Sequence, residues 1–262
     1  MKTNLVSLSD FKGHPHPSSK LFRVLELQAV YKNTKNYTFK GPSMDLGGGD
    51  GYLSAILFDK KFDYNVDNGE ANDLHVARRH RRYRKILVES AENMSLKDNS
   101  LNFIFSNSVI EHIQNNEAVL REVARTLKKG GAFVFTSPSH NFKLFLWLSN
   151  FLNGLGLSLI GSLYLEQRNK MLNHYHTYSH QTWTAKLKKH GLKVKKYDYY
   201  ISKETCMLWD KIALEVKIRK LFDKKAEEHI FKKYKTVIET AIKCDDAANN
   251  QGASLFIWAT KI

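Results

Sequence analysis

The sequence SMDLGGGDG, residues 43–51, is a glycine-rich turn directly after a short apolar strand and before a helical pattern. Glycines at positions 47, 49 and 51 permit a tight turn and let the main chain approach a ligand closely. A dinucleotide-binding loop would need glycine at position 52, where Tyr52 stands, and a P-loop would need a Gly-Lys-Ser/Thr ending. The pattern that remains has a carboxylate, Asp45, where the amino group of a ligand could bind. An ordinary glycine-rich turn accounts for the same residues, so the sequence that follows the loop has to distinguish a ligand-binding loop from a plain turn.

Short apolar runs alternate with amphipathic stretches on the C-terminal side of this loop. Such alternation predicts βαβ units and a mostly parallel sheet covered by helices on both faces. Sheets of this kind bind ligands at the carboxyl ends of their strands. The predicted strands are residues 43–46, 63–67, 86–89, 101–106 and 132–136, and the predicted helices between them are residues 51–59, 71–83 and 116–128.

Polar residues follow each of the next three predicted strands. Asp67 ends the second strand, and an acidic side chain there can accept hydrogen bonds from both hydroxyl groups of a ribose. Ser90-Ala91-Glu92 follows the third strand, and Ser106-Asn107-Ser108 follows the fourth. Because the carboxyl ends of parallel strands meet at one side of a sheet, all these segments are expected beside the glycine-rich loop.

Residues 40–140 resemble the class I S-adenosylmethionine-dependent methyltransferases, and most closely the small-molecule branch of their type 11 domains. The glycine-rich loop is similar to the first motif of that family. AENMSLKDNSLNFIFSNSVIE, residues 91–111, is similar to its D-A-E-x-L-P-F…D-x-F-D…S-x-x-x-E-H stretch, and LREVARTLKKGGAFVFTS, residues 120–137, to its helix and glycine turn before the fifth strand. The resemblance implies an α/β, Rossmann-like, mostly parallel seven-stranded sheet and the cofactor S-adenosyl-L-methionine. The family usually has aspartate at position 90, where Ser90 can accept a hydrogen bond without a charge.

The resemblance also implies a cofactor-binding role for eight residues. The glycines of the loop would line the methionine part of the cofactor, and Asp45 would orient its amino group directly or through water. Asp67 would hold the ribose, the residues after the third strand would flank the adenine, and Asn107 would lie near the methionine end. The complete set is Asp45, Gly47, Gly49, Gly51, Asp67, Ala91, Glu92 and Asn107.

Two missing motifs narrow the acceptor of the methyl group. After the fourth strand the chain has S-N-S-V in place of [D/N/S]-P-P-[Y/F/W], which disfavours the amino groups of nucleobases, and it has no Pro-Cys nucleophile for cytosine C5. We therefore expect a small-molecule acceptor, with a hydroxyl of a sugar or of a lipid-linked glycan precursor as the first choice. An RNA methyltransferase is the first alternative, and a non-catalytic protein that binds S-adenosylmethionine or a membrane is the second.

Histidines are the candidate catalytic residues, because a reference pKa of about 6.5 suits a base for a hydroxyl acceptor. His112 lies just beyond the fourth strand, and His174 and His176 lie in the segment NHYHTYSH, residues 173–180. A structural histidine at position 112 and plain packing of the later loop are the competing interpretations. Metal binding through His174 and His176 lacks a companion cysteine and a third ligand, so no metal is expected.

One domain over residues 1–262 is predicted, with additions to the sheet at three places. The uncharged stretch at residues 144–165 is long enough for a bilayer span, but its polar residues and its place within a sheet favour a helical pair that forms an apolar lid over the acceptor. A contact with the surface of a membrane is the intermediate interpretation. The additions are an N-terminal cap at residues 1–40, the lid insertion at residues 139–178 and a basic helical stretch at residues 204–248.

The chain carries 41 Lys and Arg residues against 26 Asp and Glu, a formal net charge of +15. This charge favours nucleic acid, an anionic membrane surface or a phosphorylated substrate as partner. The run RRHRRYRK, residues 78–85, is predicted to lie on the helix after the second strand as a solvated face, because only Tyr83 could stack on a base. Nucleic acid is thus the less favoured partner. Two cysteines without metal-ligand spacing and an N-terminus without an apolar core segment predict a cytoplasmic protein, with membrane association as the variant.

Overall fold

A computed structural model describes residues 6–11, 16–69, 71–247 and 251–262 of the chain. Residues 1–5 and 12–15, which belong to the predicted N-terminal cap, lie outside the described residues. So does residue 248, at the end of the predicted basic helical stretch.

One sheet of seven strands forms the centre of the described structure. Its strands are β1 (Ser43–Leu46), β2 (Phe62–Val66), β3 (Tyr83–Leu87), β4 (Leu101–Asn107), β5 (Leu127–Pro138), β6 (Leu192–Tyr200) and β7 (Ser254–Lys261). They lie in the order β3-β2-β1-β4-β5-β7-β6, and β7 runs antiparallel to its two neighbours. The strand order reverses beside β1, and the crevice at such a switch point is where open α/β sheets bind ligands.

Helices cover both faces of this sheet. They are α1 (Pro17–Thr34), α2 (Tyr52–Leu57), α3 (Ala71–Arg79), α4 (Asn116–Thr126), α5 (Trp147–Gly154), α6 (Ser158–Leu172), α7 (His180–Lys189), α8 (Lys203–Arg219) and α9 (Ala226–Cys244). Alternation along β4 divides the core, because Phe103 and Phe105 pack with α1, α8 and α9 whereas Ile104 packs with α4 and α7. The predicted mostly parallel, two-faced α/β architecture is confirmed.

Tertiary pairing overrides the sequence prediction at two boundaries. The basic run at residues 78–85 does not lie on one helix, because α3 ends at Arg79, Arg81 turns with a φ of 50°, and β3 begins at Tyr83. Parallel pairing of Tyr83 with Phe62 draws the second half of the run into the sheet. Likewise α4 ends at Thr126 rather than at residue 128, because Leu127 pairs with Leu101 and opens β5.

The insertion at residues 139–178 contains the two helices α5 and α6. Two leucines of α6 are largely exposed, Leu159 at 81% and Leu163 at 65%, and the lid over the acceptor stays a prediction. None of the helices within the described residues has the length and apolar character needed to cross a membrane. The basic stretch near residues 204–248 contains the two helices α8 and α9.

Candidate functional site

The glycine-rich loop turns sharply from β1 into α2 through three residues with positive φ. Gly47, Gly49 and Gly51 have φ values of 71°, 52° and 75°, a region that side chains with a Cβ rarely adopt. A Cβ at Gly47 would come within 2.5 Å of the Val109 side chain, whereas a Cβ at Gly49 would meet no atom within 4 Å. The loop therefore packs tightly against the rest of the protein at position 47 and has free space beside it at position 49.

Asp67 holds this loop from the end of β2. The main-chain N–H of Gly49 donates to Asp67 Oδ2 over 2.7 Å, and the N–H of Gly69 donates to Oδ1 over 2.6 Å. A second contact comes from β2, where Asn65 Oδ1 accepts a hydrogen bond from the N–H of Gly48 at 3.1 Å. Each carboxylate oxygen of Asp67 keeps a further lone pair, so the group can still accept hydrogen bonds from a ligand.

A cavity of about 540 Å³ opens beside the loop, at the carboxyl ends of β1 to β4. It brings together four of the predicted cofactor-binding residues and one candidate catalytic histidine: Gly47, Asp67, Ala91, Glu92 and His112. Ser90, which replaces the usual aspartate, also lines the cavity, and its hydroxyl bonds with the N–H of Glu92 over 3.2 Å.

Asp45 lies beneath the loop and does not line this cavity. It is 2% exposed, and its Oδ2 accepts a hydrogen bond of 2.8 Å from the hydroxyl of Tyr83. Burial raises the pKa of Asp45 to about 6, against the opposing effect of the Tyr83 hydrogen bond. Gly51 packs on the same side, where an added Cβ would meet Arg82 and Tyr83. The sequence does not reveal the role of Tyr83, because its contact with Asp45 depends on where β3 begins.

Asn107 belongs to a buried network around Glu26 of α1 rather than to the cavity wall. Glu26 is fully buried and accepts hydrogen bonds from Asn107 Nδ2 at 2.9 Å and from Thr136 Oγ1 at 3.1 Å, and also from Ser108 and Arg23. Burial opposes ionisation, but Arg23 and these hydrogen bonds hold the pKa of Glu26 below its usual value. A glutamate between Leu25 and Leu27, inside an apolar pattern, was the available signal for it.

The three candidate histidines have different surroundings. His112 Nδ1 lies 3.1 Å from the carbonyl oxygen of Asn173, which only accepts, so Nδ1 carries the proton and Nε2 is free. Burial lowers the pKa of His174 to about 3, and the nearby His112 contributes. Both ring nitrogens of His176 have partners in the protein, since Nε2 lies 3.0 Å from the carbonyl oxygen of Ile113 and Nδ1 lies 2.9 Å from the hydroxyl of Tyr178.

Glu111 precedes His112 of the cavity wall, and the sequence suggested no role for it. It is 1% exposed, and its Oε2 is buried with no hydrogen-bond partner within the part of the chain that the structure describes. Burial raises the pKa of Glu111 to about 8, and the nearby carboxylate of Glu26 adds to this rise. A buried carboxyl group without a partner is costly for folding, and such groups are candidates for functional sites.

Comparison with known proteins identifies the segment that builds this site. Residues 44–135 match the family model described as "Methyltransferase domain". The human thiol S-methyltransferase TMT1A is 38% identical over 58 residues, 22% of this chain, and the uncharacterized protein MJ1123 of Methanocaldococcus jannaschii is 26% identical over 113 residues, 42% of this chain. These matches span only 24% and 52% of the lengths of the two curated relatives.

The solved structure of a geranyl diphosphate methyltransferase in complex with S-adenosylmethionine shares the fold over nearly the whole chain. The TM-score is 0.58 at 15% identity, and the match covers 94% of this chain and 90% of that one. At this level of identity the likeness concerns the fold, including β5 to β7 and the helices outside the matched family segment.

Proposed function

Because residues 44–135 are a methyltransferase domain with the fold of the class I S-adenosylmethionine-dependent enzymes, we propose that this protein transfers a methyl group from S-adenosylmethionine to a small-molecule acceptor. The observation that carries the proposal is the joint position of Gly47, Asp67 and His112 around one cavity at the carboxyl ends of β1 to β4. Two of the proteins that match this chain act on small molecules by name, a thiol in one case and geranyl diphosphate in the other, which supports the same class of acceptor here.

The residues of the cavity fit this cofactor. Its volume of about 540 Å³ is within the range of roughly 300–1,000 Å³ that is usual for small-molecule sites. The open space at Gly49 lets a ligand approach the main chain, and the remaining lone pairs of Asp67 suit the two hydroxyl groups of a ribose. Ala91 and Glu92 follow β3 on the same side of the sheet, where they would flank the adenine.

The protein's contribution to the reaction is mainly alignment. S-adenosylmethionine supplies an electrophilic methyl group on a sulfonium, and correct alignment in such an in-line displacement is worth about 7–11 kcal/mol. Gly47 and Asp67 would fix the cofactor through a loop that is already held by hydrogen bonds. The Glu26 network would keep Asn107 and Ser108 rigid at the end of β4, since every oxygen of that carboxylate has a partner.

We assign the acceptor end of the cavity to His112, because it lines the cavity and has a free Nε2. The ring centre of His174 lies 5.3 Å from that of His112. The Nε2 atom of His176 is already in contact with a main-chain carbonyl oxygen. A polar end of this kind favours a hydroxyl acceptor, such as a hydroxyl of a sugar or of a lipid-linked glycan precursor. RNA is the weaker alternative, because the basic run at residues 78–85 is divided between a helix, a turn and a strand.

The exposed leucines of α5 and α6 favour an anionic membrane surface as a partner. Leu159 and Leu163 project from α6, and the exposed Lys217 of α8 lies beside Met171 at the end of α6, 3.7 Å from its sulfur. Apolar side chains that enter a headgroup layer beside cationic ones are the usual basis of monotopic binding. In this arrangement the insertion would hold the domain against the surface that carries a lipid-linked acceptor.

Titration calorimetry with S-adenosylmethionine and with S-adenosylhomocysteine tests the cofactor part of the proposal. We expect one site per chain for both molecules. Mass spectrometry after incubation with a panel of sugars, lipid-linked glycans, thiols and RNA then tests the acceptor. Failure of the unmodified chain to bind either cofactor form would refute the enzyme proposal, while binding without any methylated product would favour the non-catalytic alternative.

A further inference from the structure

We propose that Glu111, His112 and His174 bind one divalent metal ion, with Zn²⁺ as the ion that their donor set fits best. The three side chains are called the Glu-His-His cluster below. Two imidazoles and one carboxylate are the protein ligands of a common type of catalytic zinc site, which keeps one position open for water or substrate. The sequence could not suggest this set, because His174 is far from the other two residues along the chain.

The fold brings three ligand atoms of the cluster together. One ligand atom from each residue lies within 4.8 Å of the other two, and His112 Nε2 lies 3.9 Å from Glu111 Oε1. Bonds from zinc to nitrogen or oxygen measure about 2.0–2.2 Å, so side-chain movements of about 1 Å would bring all three atoms onto one ion.

Two atoms of the cluster are buried without a hydrogen-bond partner among the described residues. They are Oε2 of Glu111, a side chain that is 1% exposed, and Nδ1 of His174. The desolvation cost of a buried polar atom without a partner is about 1–3 kcal/mol, and one of these two belongs to a carboxyl group. A metal ion would satisfy both atoms at once, since each is a potential ligand.

The residues around the cluster already hold it as a metal site would require. Ligating histidines usually donate their second ring N–H to a carbonyl or carboxylate, and His112 does so to the carbonyl of Asn173 over 3.1 Å. The main-chain N–H of Tyr175 donates to the carbonyl of Glu111 over 2.9 Å, which fixes the distance between the two segments. The contact with Asn173 is made through Nδ1, so it orients the ring of His112 and leaves Nε2 available to a metal ion.

Two of the cations near the cluster, Arg23 and Arg168, are paired with carboxylates, and Lys143 is a further cation that acts on His174. Arg23 forms an ion pair with Glu26 at 2.5 Å, and Arg168 forms one with the buried Asp210 at 3.1 Å. Glu26 is the nearest competing carboxylate, but its oxygens accept hydrogen bonds from five other residues. Glu111 is therefore the carboxylate that remains available to an ion here.

The open side of the site would face the cavity, because His112 is also part of the cavity wall. An ion held there would coordinate an acceptor hydroxyl and lower its pKa, so that the hydroxyl would release its proton to water in the open cavity. The oxygen would then form a bond to the methyl carbon as the bond from that carbon to the sulfonium sulfur breaks, and S-adenosylhomocysteine would leave. This last step rests on the proposed methyltransferase function, but metal binding itself does not.

Titration of the full-length, chelator-treated protein with Co²⁺ and Zn²⁺ tests the site. Co²⁺ bound by two histidines and a carboxylate gives visible ligand-field absorption, and Zn²⁺ added afterwards should displace it with a stoichiometry of one. We expect Glu111→Gln and His174→Asn each to weaken the binding of Zn²⁺ by at least about 100-fold, the upper end of what the loss of a supporting contact costs. His229→Gln is the control. His229 lies on α9, outside the cluster, and pairs with Asp223, so this variant should bind Zn²⁺ as the wild type does.

Circular dichroism and binding of S-adenosylhomocysteine are measured on the same samples. A folded wild-type protein that binds S-adenosylhomocysteine but takes up no Co²⁺ or Zn²⁺ would overturn the metal site alone. So would equal metal binding by the wild type and both folded cluster variants. If one variant fails to fold, the other still decides, since the two substitutions lie in different segments of the chain.

Discussion

The main-chain nitrogen of Tyr175 donates a 2.9 Å hydrogen bond to the carbonyl oxygen of Glu111. Together with the contact between His112 and Asn173, it joins the end of α6 to the turn that follows β4. These two hydrogen bonds connect the exposed hairpin of α5 and α6 with the candidate acceptor end of the cavity.

Replacement of Asp67 tests the cofactor site most directly. Asp67→Ala removes a charged acceptor for two ribose hydroxyl groups as well as the partner of Gly49 N–H. Charge-assisted hydrogen bonds contribute about 1.5–3 kcal/mol each, so we expect binding of S-adenosylhomocysteine to weaken by about 100-fold or more in calorimetry. The control is Asn68→Ala, since Asn68 lines the same cavity. Equal affinities for the two variants would contradict the assignment of Asp67.

Asp45→Asn should stabilise the ligand-free protein and make its stability less dependent on pH. Burial raises the pKa of Asp45 from 3.8 to about 6, so the folded state binds a proton more readily than the unfolded state between these values. The cost of ionisation is absent below about pH 4, grows as the pH rises, and is complete above about pH 6 at about 3 kcal/mol. An asparagine oxygen can still accept from Tyr83. Urea unfolding at pH 4 and pH 7 measures the difference, and a gain that is equal at both pH values would contradict this explanation.

Gly47→Ala should destabilise the protein more than Gly130→Ala does. Both glycines have a positive φ, 71° and 77°, and a Cβ costs about 1–2 kcal/mol in this conformation. At Gly130 the added methyl group meets nothing within 4 Å, whereas at Gly47 it meets Val109 at 2.5 Å. Overpacking should add about 1–3 kcal/mol at Gly47. Thermal or urea unfolding measures both, and equal losses would mean that Val109 moves aside freely.

The double substitution Leu159→Glu with Leu163→Glu tests the membrane contact. Both side chains are exposed, so the change should leave the free energy of unfolding nearly unaltered. We expect flotation with phosphatidylserine-containing vesicles to fall at least tenfold, because each leucine can contribute about 1.5–3 kcal/mol when it enters the headgroup layer. Val237→Glu, an exposed apolar position on α9, is the control. Flotation that is equal for all three proteins would exclude the hairpin as the contact.

The sequence predicted those parts of the site that depend on local order along the chain. Asp67 could be found because it directly follows a strand, and Gly47 because the turn after β1 needs its conformation. The roles of Tyr83 and Glu111 could not be found in this way, and Glu26 was marked only by its place inside an apolar pattern. Their roles come from contacts between segments that are far apart in sequence, such as Tyr83 with Asp45 and Glu26 with Thr136.

The same reason explains the error at the basic run. Periodicity favoured a helix to residue 83, but the parallel pairing of Tyr83 with Phe62 decides where β3 begins. His176 illustrates the opposite case, in which a residue type that suits catalysis is held by the carbonyls of Ile113 and Gln114. Residue type and order along the chain do not distinguish a histidine that is available for catalysis from one that is held by main-chain contacts.

The position of Glu26 on α1 has a consequence for any dissection of the protein. A fragment limited to residues 44–135 would lose the acceptor of Asn107 and Ser108, and it would expose the edge of β5 that pairs with β7. Two donors without their acceptor and an unpaired strand edge would then face water or another copy of the fragment, which favours aggregation. The smallest autonomously folding unit is therefore larger than the matched segment at residues 44–135. Expression boundaries should include α1 and extend through β7.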